Sequence, residues 1–152
     1  MKIYVASSWR NEVQQSVVQA LEGAGHEVYD FKNPPNNSAF QWSAIDPDWQ
    51  KWTPEQFIRG LEHPVALNGF VSDMEALMDC DACVMVQPCG RSAHLEAGWA
   101  SGAGASLLIL LEGGDPELMY SMADRFALSI PELVQQVSAL QREMDDSDSS
   151  DL

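Results

Sequence analysis

Three segments hold residue types that can act on a small molecule. The first is Gly90-Arg91-Ser92-Ala93-His94-Leu95-Glu96-Ala97-Gly98-Trp99, where Glu96 falls in the first turns of a helix that follows an apolar strand. A carboxylate placed there serves either as a nucleophile or as a helix-dipole partner or solvated charge. Spacing alone leaves both readings of Glu96 open, and His94 reads as a packed or surface histidine. The second segment is Ser7-Ser8-Trp9-Arg10-Asn11. Its hydroxyls, guanidinium and helix-start N–H groups make a phosphate cradle. The plainer alternative is that Ser8 caps the helix and Arg10 is solvated. The third is an aromatic insert with Phe40, Trp42, Trp49 and Trp52. Trp42 and Trp49 read equally as stacking platforms for a planar ring or as a satellite core under a long loop, whereas Trp52 flanks a helix cap and reads as core.

Other chemistries are disfavoured. Cys80-Asp81-Ala82-Cys83 has metal-like spacing but no second pair, and Cys83 lies in an apolar strand, so no metal site is expected. Three cysteines without framework spacing argue against structural disulfides. There is no glycine-rich dinucleotide fingerprint and no Walker-type loop, and no cofactor is expected.

These segments need a scaffold, and the hydrophobic pattern supplies one. Lys2–Ala6 reads as a strand and not as a signal peptide. Val13, Val17, Val18, Leu21 and Ala24 recur at helical spacing, with Gly23 and Gly25 ending that helix. Glu27–Phe31 is a second strand, so the first unit is strand–helix–strand with a right-handed crossover. Thr53-Pro54-Glu55-Gln56 opens a helix as a capping box with proline at its first position. Ser72-Asp73-Met74-Glu75 reads as a second capping box opening a helix through Met78. Ala82–Val86 is a third strand, followed by a turn at Pro88–Ser92 and a helix from Ala93 to about Gly102. Ser106–Leu111 is a fourth, uniformly apolar strand. A short helical piece near Pro116–Ala123, a brief strand near Phe126–Leu128 and an amphipathic helix from Ser129 through Leu140 complete the pattern. This predicts an α/β fold, a single-domain flavodoxin/Rossmann-like doubly wound parallel sheet with helices on both faces. The domain is expected over residues 1–144, with 145–152 as an acidic, disordered, solvated tail.

Composition narrows the partners. The formal net charge is −15, which repels phosphate backbones, so no nucleic-acid partner is expected. No apolar run is long enough to cross a bilayer, so no membrane partner is expected and the protein is placed in the cytoplasm.

The segment Asp79–Ala100, with its apolar strand, Gly/Ser turn and Glu96-Ala97-Gly98 on a helix, resembles the nucleoside 2-deoxyribosyltransferases. It is similar also to the deoxynucleoside 5′-monophosphate and cytidylate N-glycosidases. Lys2–Ser8 resembles their first strand and loop, and Phe70–Met74 the place where they carry an aspartate. The resemblance implies that Glu96 is the nucleophile of a covalent glycosyl ester, that Asp73 is the acid near base and sugar, and that Tyr4 orients the nucleophile. It implies that Ser8 and Arg10, in the loop with Ser7, bind a 5′-phosphate. At Gly90 the chain departs from the pattern: the transferases often carry Asp there, the monophosphate glycosidases Ser. Arg91 and Ser92 are the replacements as phosphate ligands. The family shares sites across subunits, so a homodimer or higher homo-oligomer is expected, with Tyr120 and Ser121 as candidates to complete a neighbour's site.

The chemistry fits the residue types. Glycosidic cleavage passes through an oxocarbenium-like state that a carboxylate beneath the sugar carbon stabilises and can bond. A second carboxyl, kept protonated by burial or by its like-charged neighbour, donates to the departing base. The expected substrate is a nucleoside or nucleoside 5′-monophosphate, cleaved by hydrolysis or base transfer. The alternatives are a non-catalytic nucleotide-binding module and an NAD-cleaving glycohydrolase.

Overall fold

Strands of three to five residues alternating with helices set the architecture of this computed structural model, which describes residues 1–37 and 39–150. The strands are β1 (Lys2–Ala6), β2 (Glu27–Asp30), β3 (Ala82–Val86), β4 (Ser106–Leu110) and β5 (Arg125–Ala127). All pair in parallel, in the order β2-β1-β3-β4-β5. That order reverses direction between β1 and β3, and the crevice beyond their carboxyl ends is where such sheets bind ligands.

Two helices cover each face. α1 (Gln14–Gly23) and α5 (Ile130–Ser150) pack Val17, Leu21, Leu133 and Val137 onto Ile3, Val5, Val84 and Leu108. α3 (Pro64–Asp79) and α4 (Arg91–Gly102) pack Leu77, Ala93, Ala97 and Ala100 onto Tyr4, Cys83, Met85 and Leu107. Strand alternation therefore sends Ile3 and Val5 to one core and Tyr4 to the other. The buried β3 and β4 are apolar throughout, as strands covered on both faces are. No helix among the described residues is long and apolar enough to cross a membrane.

The insert after β2 has its own small core. Trp42 packs on Phe40, Trp52 and Phe57 with ring centroids 4.7–5.7 Å apart. Two helical glycines make room for it. A Cβ on Gly60 of α2 (Pro54–Leu61) would lie 2.4 Å from the Trp52 ring, and one on Gly69 of α3 would lie 2.8 Å from the Phe40 Cβ. The expected capping box of α2 is present in full: Thr53 Oγ1 accepts from the Gln56 N–H, and Gln56 accepts from the Thr53 N–H.

Two expectations differ from the structure. The helix carrying Asp73 begins at Pro64, not at Ser72, with the His63 ring accepting from the Val65 N–H as its cap. The capping-box spacing of Ser72-Asp73-Met74-Glu75 hid this continuity, and Gly69 answers a packing need without breaking the helix. Ser72 is therefore mid-helix, with its hydroxyl accepting from the Asn36 side chain at 3.0 Å. The last helix also outruns its expected end. Residues 145–150 are solvated as expected but helical, with Ser147, Ser149 and Ser150 each donating to the carbonyl four residues earlier. Residues 151 and 152 lie outside the described residues.

Candidate active site

At the β1/β3 switch point four side chains from four elements converge on the α3/α4 face. In-register pairing sets Tyr4 of β1 beside Tyr29 of β2, and their rings stack at 5.2 Å and 16°. The Tyr29 hydroxyl donates to Asp73 Oδ1 at 2.9 Å. Glu96, one and a half turns into α4, faces Asp73 and Tyr4, whose charge and hydroxyl both act on it.

Among the described residues neither carboxyl forms an ion pair. Burial, then the neighbouring Asp73 charge, pushes the Glu96 carboxyl up to about 8, against a lesser opposing pull from the Tyr4 hydroxyl. Burial also raises Asp73, outweighing the hydrogen bond from Tyr29. Burial and the Glu96 and Asp73 charges hold both tyrosines firmly protonated. The Tyr4 hydroxyl is buried and has no partner of ordinary hydrogen-bond geometry among the described residues, so it remains available to Glu96. The two carboxyls thus stand in one poorly hydrated site beside two neutral hydroxyl donors, and burial favours the protonated form of each.

The loops above the pair form a braced frame. The Ser7 hydroxyl donates to the Val86 carbonyl at 2.9 Å and so joins the ends of β1 and β3. Asn11, and not Ser8, satisfies the start of α1: its Oδ1 accepts from the Val13 and Gln14 N–H groups, each at 2.8 Å. Its Nδ2 meanwhile donates to the Val86 and Pro88 carbonyls. Among the described residues Ser8, Arg10, Arg91 and Ser92 make no side-chain hydrogen bond or ion pair. Gly90 stands at the N-cap of α4 and leaves that helix start without a side-chain cap. A polarised helix end and two unpaired guanidinium groups thus sit on adjacent loops.

Two further groups border the site. Gln87 Nε2 donates to the Tyr120 hydroxyl at 2.9 Å, which lies 2.8 Å from His94 Nε2, and His94 Nδ1 lies 2.7 Å from the Gly90 carbonyl. Tyr120 is therefore committed within its own chain, and Ser121 is exposed. Trp42 belongs to the satellite core, while Trp49 is half-buried and makes no ring contact among the described residues. Tyr29 was missed by the motif reading; sliding β2 against β1 in parallel register places it beside Tyr4. No group of metal-ligating side chains occurs among the described residues.

No family model matches this chain, and no curated relative matches it. Solved structures do. One is the 2-deoxyribosyltransferase of the psychrotolerant bacterium Bacillus psychrosaccharolyticus, with a TM-score of 0.61 and 18% identity over 88% of this chain and 90% of that one. Another is the CMP N-glycosidase BcmB of Clostridium botulinum, with a TM-score of 0.51 and 17% identity over 91% of this chain and 99% of that one. The chain therefore has the α/β fold on which a 2-deoxyribosyltransferase and a CMP N-glycosidase are built.

Proposed function

We propose that this protein is an enzyme that cleaves the N-glycosidic bond of a nucleoside or nucleoside 5′-monophosphate, by hydrolysis or by transfer to a second base. The observation that carries this reading is the Asp73–Glu96 pair, two half-buried carboxyls from different helices, neither of which forms an ion pair among the described residues. A structural acid is normally paired or fully hydrogen-bonded. A developing oxocarbenium supplies the positive charge that this site lacks.

In the reaction a proton resides on Asp73 and Glu96 is ionised. The Glu96 carboxylate bonds to the sugar C1′ as the C1′–N bond breaks. The bond's electron pair leaves with the base, which takes the proton from Asp73. Water or the N–H of a second base then attacks C1′ and gives its proton to the Asp73 carboxylate, the ester C1′–O bond breaks with its electron pair returning to Glu96, and two inversions retain configuration. The Tyr4 hydroxyl holds the Glu96 oxygen that does not attack. Ser8, Arg10, Arg91, Ser92 and the open start of α4 around Gly90 take a 5′-phosphate, which favours monophosphates and hydrolysis. Trp49 remains the aromatic candidate for the base. The free thiols of Cys80, Cys83 and Cys89 fit a cytoplasmic setting.

A second copy of the chain belongs to this reading. Phe57, Ile58 and Leu61 of α2, Phe70 and Val71 of α3, and Leu95 of α4 are between 46% and 76% exposed, more apolar surface than a monomer ordinarily shows. Light scattering that gives a monomer with full activity would overturn the homo-oligomer.

The test of function is a release assay. Wild type and Glu96→Ala are incubated with nucleosides, their 5′-monophosphates and NAD, and free base is followed by chromatography. Release by wild type and its loss in the variant support the reading. A folded wild type that binds nucleotides but releases nothing makes this a binding module.

A further inference from the structure

Asp73 lies in the third turn of α3, beyond the reach of the helix's end charges, and the groups around the pair are all neutral or acidic. They are Tyr4 from β1, Tyr29 from β2, Cys83 from β3, Cys89 from the following loop, and Glu96 from α4. The hydrogen bond from Tyr29 is the one side-chain hydrogen bond that Asp73 makes among the described residues. The terminal torsion of an aspartate is broad and nearly two-fold, so a carboxyl held at neither oxygen swings between orientations.

We infer that Tyr29 is a positioning residue for Asp73: by donating to Oδ1 it fixes the carboxyl plane and reserves Oδ2 for the proton that passes to the departing base. This rests on the glycosidic reading above. Tyr29 is itself well placed to hold a fixed geometry. Its backbone is paired in register with Tyr4, and its ring is stacked on Tyr4 at 5.2 Å, so the hydroxyl is aimed by both strand and ring. The device is economical, since one hydroxyl orients Asp73 while opposing part of the effect of burial on it. Proton transfer thereby keeps a defined donor oxygen at a carboxyl that burial raises above its ordinary range.

The experiment pairs a substrate-free readout with a kinetic one. Tyr29→Phe keeps the ring and its stack and removes only the donor. In the substrate-free protein, the carboxyl carbon of Asp73 is titrated by NMR in wild type and variant. Its midpoint is expected to rise by about one pH unit, the worth of one such bond. Base release is expected to lose about tenfold in kcat, with KM within about twofold and the high-pH limb moved upward. Replacing Tyr29 by 3-fluorotyrosine, a stronger donor of the same shape, must move the Asp73 midpoint the other way. It also tests the inference if Tyr29→Phe does not fold. A midpoint that ignores both replacements overturns the inference whatever the activity. An unchanged kcat beside a shifted midpoint overturns the catalytic half of it. Shifted midpoints without base release from any substrate would leave Tyr29 as the holder of Asp73 and sink the glycosidic reading instead.

Discussion

Asp30 and Glu96 are both carboxyls withdrawn from water near the carboxyl ends of strands, yet they stand in opposite states. Asp30 closes β2, is 7% exposed, and accepts from Gln14 and Gln15 side chains, the Asn33 side chain and the Lys32 N–H, at 2.8–3.0 Å. Burial works to raise it, but those four donors together outweigh burial and hold it below the ordinary carboxylate range. Glu96 receives one weak donor and faces a second acid, and its carboxyl is pushed up to about 8. The difference teaches that burial alone does not mark a reactive acid; a missing set of donors does. It also bears on the NAD-cleaving alternative, because an acid ending the second strand is where dinucleotide folds read a ribose, and Asp30's acceptor sites are already filled.

The sharpest way to break this contrast is Glu96→Gln, expected to cut base release about a thousandfold or more while the fold survives. A variant within tenfold of wild type would end the nucleophile assignment. Next comes pH. Glu96 is raised in the fold, so the folded state keeps a proton that the unfolded chain has lost above its ordinary pKa near 4.5. Wild-type stability should fall as pH climbs from about 4.5 to about 8, by on the order of a few kcal/mol, and Glu96→Gln should flatten that slope. Denaturant midpoints across this window decide it. Asp30 has the opposite sign: its stabilisation is present above its unfolded pKa and is lost as pH falls through its lowered folded value. Asp30→Asn should cost about 2 kcal/mol near neutrality, with the deficit closing in acid and activity per folded molecule unchanged. Gln15→Ala, which removes one donor of four, should cost about 0.5–1 kcal/mol in the same melts.

Much of the frame was legible because it rests on patterns of period two and 3.6. The parallel strands, the crossovers and the α2 capping box follow from local sequence. Asp73 was identified through resemblance, but its helix start was misplaced, since Ser72-Asp73-Met74-Glu75 has the spacing of a capping box, whereas the true start lies about two turns earlier at Pro64. Tyr29 escaped notice because its importance is a matter of register with a strand some two dozen residues away. The helical end of α5 runs against its composition. There the serines turn their hydroxyls back onto their own helix instead of ending it. The committed role of Ser7 was hidden as well, since the Val86 carbonyl that takes its hydroxyl is far along the chain.

Asn11 carries one more consequence. By gripping the start of α1 with its oxygen and the Val86 and Pro88 carbonyls with its nitrogen, it locks both lips of the crevice together at fixed width. The cleft is then a mould and not a jaw. On the proposed reading a substrate meets this spacing ready-made, so its width is selected before the glycosidic bond is cleaved.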